Sequence, residues 1–146
     1  MSNFRTLSDR VLASPQVAID DLAAARACGV AVVINNRPER EAEDQTPGAA
    51  IEAAARALGL DYIAIPVTPG SFSEAQVHAM VEALGRADGK VLAYCRTGTR
   101  STLLWALAEA AIGRPVEEVA AAADAAGYDI SPVKPAMAAL AGRAQP

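Results

Sequence analysis

Three short, unbroken runs of apolar, strand-favouring residues dominate the sequence: Val30 to Ile34 (VAVVI), Tyr62 to Val67 (YIAIPV) and Lys90 to Tyr94 (KVLAY). Continuous rather than alternating hydrophobicity suits a strand covered on both faces, as in parallel sheets layered between helices. The stretches between these runs carry helical signals. Ile19 to Ala27 contains the acidic pair Asp20-Asp21 near its start and stops before Gly29, and Ala49 to Leu58 stops at Gly59. Ser73 and Gln76 form a capping box leading a helix to about Ala87. Strand–helix–strand alternation at these spacings predicts right-handed crossovers and a central, mostly parallel sheet. Arg10 to Ala13 is a weaker run, placed at an edge of that sheet. From Ser101 onward the pattern is helical: Ser101 to Ile112, Pro115 to Ala126 and Pro132 to Ala141, with Gly113 and Gly127 at helix ends. The expectation is an α/β fold in one domain over residues 1–146, with a helical C-terminal tail.

A chain of 146 residues is long enough to bury a substantial core, and 52% hydrophobic with 21% charged residues is a globular balance. A net charge of −4 argues against nucleic acid or an anionic membrane as partner, since both demand a basic face. An anion must therefore be held by a local arrangement. The opening residues, MSNFRTLSDR, contain no apolar stretch of signal-peptide type, and no run is long enough to span a bilayer. Cys28 and Cys95 are too few for a disulfide scaffold, and no cysteine–histidine spacing suits a metal. A cytoplasmic protein without metal or cofactor is expected.

Chemistry concentrates in one loop, Tyr94-Cys95-Arg96-Thr97-Gly98-Thr99-Arg100-Ser101, between a buried strand and a helix. The first amides of a helix have no partner within it and, with the helix dipole, form a ready anion site. Gly98 allows the backbone to curl so that these amides face one centre. Cys95 sits at the mouth of that nest, where the amides, two guanidinium groups and the Ser101 hydroxyl favour thiolate over thiol. Cys95 is the candidate nucleophile and Arg100 the candidate oxyanion clamp, with Arg96, Thr97, Gly98, Thr99 and Ser101 as substrate-binding residues. Cys28, at an Ala-rich helix end, is expected to be core packing.

Cys95-Arg96-x-Gly98-x-Arg100-Ser101 resembles the active loop of rhodanese-type sulfurtransferases. The wider pattern of VVINNRPE, YIAIPV and VLAYCRTGTRS followed by helices resembles the cysteine-phosphatase, dual-specificity-like fold. Together with FRTLSDRVLASPQV at the start and LLWALA after the loop, it is similar to the beta-lactamase-hydrolase-like family. That resemblance implies a phosphatase-like domain, fused in some members to a persulfide dioxygenase, with either phosphatase or sulfur-transfer activity.

Two departures from the phosphatase pattern favour sulfur transfer as the expected reaction. Cysteine and arginine are separated by Arg96 to Thr99, one residue fewer than in cysteine phosphatases, and Tyr94 stands where those enzymes usually carry histidine. Ester cleavage also calls for a general acid. The segment Thr68-Pro69-Gly70-Ser71-Phe72-Ser73, where phosphatases carry an aspartate, has no carboxylate before Glu74. Glu74 also has a structural reason to be in a helix first turn. Sulfur transfer from thiosulfate or glutathione persulfide to a thiol acceptor, through a Cys95 persulfide, needs no such acid. A persulfide dioxygenase or sulfide oxidase is then the expected partner. Cysteine-dependent hydrolysis of a phosphate ester is the alternative, and a non-enzymatic anion-binding or persulfide-sensing module the third reading. Arg37, just after a strand, lies at the same carboxyl edge as Cys95, giving it either a substrate-side role or a solvated loop position. The acidic run Glu39 to Asp44 is expected to be a solvated loop, His78 to lie at the surface, and Trp105 in the core.

Overall fold

The computed structural model describes residues 3–144. A five-stranded sheet is built from β1 (Arg5–Thr6), β2 (Val11–Ser14), β3 (Val30–Asn35), β4 (Asp61–Ala64) and β5 (Lys90–Tyr94) in the order β1-β2-β5-β3-β4. All neighbours are parallel except β1, which runs antiparallel to β2. Among the described residues the helices are α1 (Asp21–Ala27), α2 (Gly48–Ala57), α3 (Glu74–Arg86), α4 (Thr99–Ala111), α5 (Val116–Ala125) and α6 (Lys134–Ala144), with a 3₁₀ turn at Ser131–Val133 before α6.

The alternation of side chains along each strand divides the core in two. Val11, Ala13, Val32, Ile34, Val91 and Ala93 face one cluster, which includes Met80, Trp105, Val119 and Met137 from the helices α3 to α6. Leu12, Val33, Leu92 and Tyr94 face the other, completed by Leu22, Ile51 and Ala55 from α1 and α2. Continuous apolar runs were required for this reason: both faces of the central strands are roofed. Trp105 is fully buried, as expected. Helix α4 is buried on nearly every side, from Ser101 to Ala108, because it packs on β2 and β5 beneath α3, α5 and α6.

Three sequence expectations need correction. The Arg10–Ala13 run is not an edge strand: β2 lies between β5 and β1, and the two-residue β1 forms the border. The YIAIPV run ends as a paired strand at Ala64, near Pro66, which has no N–H for a ladder. Cys28 is exposed at the C-terminus of α1 rather than packed in the core. The capping box at Ser73 and Gln76 is formed in both directions, so α3 starts where its sequence signal placed it.

Candidate active site

The carboxyl ends of β2, β3 and β5 meet where the strand order reverses, the place at which open α/β sheets bind ligands. Cys95 follows β5 directly, and its own N–H donates to the Ser14 carbonyl of β2 at 3.3 Å. Its side chain is fully buried. Gly98 then takes a left-handed conformation, φ 92° and ψ −11°, at the N-cap of α4. That turn swings the Gly98 N–H onto Sγ of Cys95 at 3.1 Å. Helix α4 begins at Thr99, two residues earlier than expected, so Arg100 and Ser101 stand in its first turn, where amides lack partners within the helix. Thr97 and Thr99 bond to one another: the Thr97 hydroxyl donates to Thr99 Oγ1 at 3.0 Å, and the Thr99 N–H donates to Thr97 Oγ1 at 3.3 Å. Arg96 and Thr97 are exposed at the mouth of the loop.

Arg100 is held by a carboxylate that sequence reasoning assigned to solvent. Its Nη1 donates to Glu41 Oε2 and to the Val67 carbonyl, and its Nη2 donates to Glu41 Oε1, each at 2.8 Å. These bonds use the end-on fork of the guanidinium. Among the described residues, Nε and the second Nη2 proton, its side-on fork, enter no such bond. Burial works against the Arg100 charge, but hydrogen bonding to Glu41 and the pull of the Cys95 sulfur more than offset it, and its pKa is raised. Glu41 is in turn held ionised: hydrogen bonding from Arg100, backed by Arg37, outweighs burial and keeps its carboxyl below the ordinary glutamate range.

Arg37 is not a solvated loop residue. Its side chain is 5% exposed, and it donates through Nε to Glu41 at 3.0 Å and through Nη1 to Gln16 at 3.0 Å. It braces Glu41 from behind. The Ser101 hydroxyl, expected beside the sulfur, donates instead to Asn36 Oδ1 at 2.8 Å. Asn36 is fully buried and also donates to the Ile65 carbonyl at 2.9 Å, tying the ends of β3 and β4 to the start of α4. Tyr94 points into the core on the opposite face of the sheet from the α4 side, and burial pushes its phenol far above the ordinary range.

Two other candidates pair with groups outside this cluster. His78 is exposed on α3 beside Glu82. Glu74 is 81% exposed and pairs with Arg143 of α6 at 2.9 Å. A cavity of about 590 Å³ lies at the opposite end of the sheet, between the C-terminal ends of α3 and α4, and its lining includes Val11, Leu84, Val91 and Ile112. Among the described residues, no three His, Cys, Asp or Glu side chains gather as a metal site, and no helix is long and apolar enough to cross a membrane.

Sequence reasoning thus placed Cys95, Gly98 and Arg100 together through their local motif, where the structure has them, and missed their neighbours Glu41, Asn36 and Gln16. Glu41 reaches Arg100 across 59 positions in the sequence. The one signal was its place four residues after Arg37 in a loop at the sheet's carboxyl edge.

The chain is similar to known proteins in sequence and in fold. A family model described as the phosphatase-like domain of beta-lactamase hydrolase-like protein matches residues 3–112. A beta-lactamase hydrolase-like protein of Xylella fastidiosa is 36% identical over 125 residues, which are 85% of this chain and 29% of that protein. The chain therefore matches only a part, under a third, of that relative's length. The crystal structure of a candidate phosphatase from Neisseria meningitidis superposes with a TM-score of 0.83 at 33% identity, covering 96% of this chain and 99% of that one. A second, from Shewanella putrefaciens, has a TM-score of 0.69 at 23% identity, with 99% and 90% covered, and bears on the fold alone. On the extent of the family match and the identity to the Xylella protein, the chain belongs to the phosphatase-like domain family of beta-lactamase hydrolase-like proteins.

Proposed function

We propose that the chain hydrolyses phosphate monoesters through a phosphocysteine on Cys95. The observation that carries this reading is Arg100, whose side-on fork has no acceptor oxygen among the described residues and which Glu41 locks near a sulfur that already accepts the Gly98 N–H. A planar fork held in place suits two oxygens of a tetrahedral oxyanion, and the unpartnered amides of the α4 first turn suit the third. The likeness to the Neisseria meningitidis candidate phosphatase supports phosphoryl chemistry over the sulfur transfer expected from sequence. In the first step Sγ attacks phosphorus, the P–S bond forms, and the P–O ester bond breaks with its electron pair leaving on oxygen. Water then attacks the phosphocysteine, releasing inorganic phosphate and restoring the thiolate. Glu74 is turned to Arg143 and Glu41 is committed to two guanidinium groups, so neither is placed to protonate the leaving oxygen. Esters with stable leaving anions, such as aryl phosphates, should therefore react fastest.

The engagement of both carboxylates also favours a second reading, sulfur transfer. There Sγ attacks the outer sulfur of thiosulfate, sulfite leaves with the S–S bonding pair, and a Cys95 persulfide remains for a thiol or cyanide to discharge. Parallel assays with p-nitrophenyl phosphate and with thiosulfate plus cyanide separate the readings, using mass spectrometry of Cys95 to distinguish a phosphoryl group from one added sulfur. Phosphate release with a trapped phosphocysteine supports the proposal. Thiocyanate formation without phosphate release would replace it with sulfur transfer. Silence in both assays, with oxyanion binding retained, would leave a binding module. Cys95→Ser should abolish either turnover.

A further inference from the structure

The peptide unit joining Thr97 to Gly98 is engaged at both of its polar ends. Its N–H donates to Sγ of Cys95 at 3.1 Å, and its carbonyl accepts a hydrogen bond from the phenol of Tyr128 at 3.3 Å. Tyr128 comes from the turn after α5, in the helical tail beyond the residues matched by the family model. It is held there from several sides. Its own N–H donates to the Ala123 carbonyl at 2.9 Å. Arg5 of β1 lies 5.9 Å above its ring and donates to the Ala126 carbonyl at 3.1 Å. The phenol oxygen packs so closely on Gly98 that a Cβ there would collide with it.

We propose that Tyr128 is a positioning residue for the chemistry of Cys95: by holding the Thr97 carbonyl outward, it keeps the Gly98 N–H directed at the sulfur. A glycine with a left-handed neighbouring geometry has several backbone states open to it, and a peptide at such a residue can rotate at little steric cost. Rotation of this unit would replace the donor facing Sγ with carbonyl lone pairs. The phenol bond opposes that rotation. It also polarises the amide, since hydrogen bonds in series strengthen one another. Burial raises the Tyr128 phenol above its ordinary value; Arg5 opposes this and Cys95 adds to it. The phenol is a donor throughout the neutral range. This inference takes from the proposed function only that Cys95 is the nucleophile, and it holds for phosphoryl and sulfur transfer alike.

The test is Tyr128→Phe in the full chain, which removes one oxygen and keeps the ring. The readouts are the rate of Cys95 alkylation by iodoacetamide across pH, the amide resonance of Gly98, and kcat and KM for p-nitrophenyl phosphate. Alkylation at neutral pH should slow by about three- to tenfold, the equivalent of one hydrogen bond. The alkylation profile should move to higher pH, the Gly98 amide proton should shift upfield, and kcat should fall more than KM rises. Unchanged alkylation and an unchanged Gly98 resonance would overturn the proposal. If Tyr128→Phe does not fold, 3-fluorotyrosine at position 128 supplies a stronger donor. Both readouts must then move in the opposite direction, and no movement counts against the proposal. Lack of phosphatase turnover in the natural chain would sink the phosphatase reading, while the alkylation and resonance measurements would still decide the role of Tyr128.

Discussion

The orientation of the Arg100 guanidinium is decided by Glu41. A free arginine side chain samples many rotamers, and a guanidinium held by two carboxylate oxygens and a backbone carbonyl samples few. Glu41→Gln keeps the side chain's size but removes its charge and one of the two acceptor oxygens facing Arg100. A charge-assisted hydrogen bond is worth about 1.5–3 kcal/mol, so kcat/KM for an aryl phosphate should fall by about ten- to a hundredfold. Steady-state kinetics at neutral pH checks this, and an unaltered kcat/KM would mean that Arg100 needs no brace. The same residue has a pH signature. Because its folded carboxyl lies below the ordinary value, its stabilising contribution is complete above that value and is lost as pH falls through the depressed one. The stability gap between natural chain and Glu41→Gln should therefore be full at neutral pH and close in strong acid, as followed by urea unfolding over a pH series.

Cys95 and Arg100 are set by the strand–loop–helix unit of β5, the turn at Gly98 and α4. Its geometry turns on Gly98, whose φ of 92° an L side chain resists and whose Cα touches Tyr128. Gly98→Ala combines left-handed strain with displacement of that phenol, and should cost about 1–3 kcal/mol of stability. Urea unfolding measures the loss, and the alkylation rate of Cys95 should fall with it. A stable, fully reactive Gly98→Ala variant would show that the loop closes without the left-handed turn. The elements flanking this unit were legible in the sequence because each carries a local signature: unbroken apolar strands, the box at Ser73 and Gln76, the glycines at helix ends. β1 was not legible, since two residues carry no period to read, and without it β2 passed for an edge.

At the scale of the whole molecule, the tail beyond the matched family segment belongs to the fold. Val119, Ala123 and Met137 from α5 and α6 share one buried cluster with Leu104 and Trp105 of α4. A chain ending after Ile112 would leave that face of α4 in water and remove Tyr128. It should lose its cooperative thermal transition, as measured by circular dichroism, and a truncated chain that melts like the full one would show the tail to be dispensable. Under the proposed reaction the net charge of −4 leaves the attraction of an anionic substrate to the guanidinium groups and amides within one short loop.

By itself the sequence determined the layering of helices on a parallel sheet and the gathering of Cys95, Gly98 and Arg100 in one loop between strand and helix, because those depend on periodicity and on residues adjacent in the chain. Tertiary structure alone decided which groups support them. Glu41 on Arg100, Asn36 on Ser101 and Tyr128 on Thr97 are contacts between segments far apart in sequence, made where strand ends and helical tail converge. A side chain's partner across such a distance follows from how the layers pack, and no local pattern encodes it. The same packing exposed Cys28, whose alanine-rich surroundings in sequence pointed to the core.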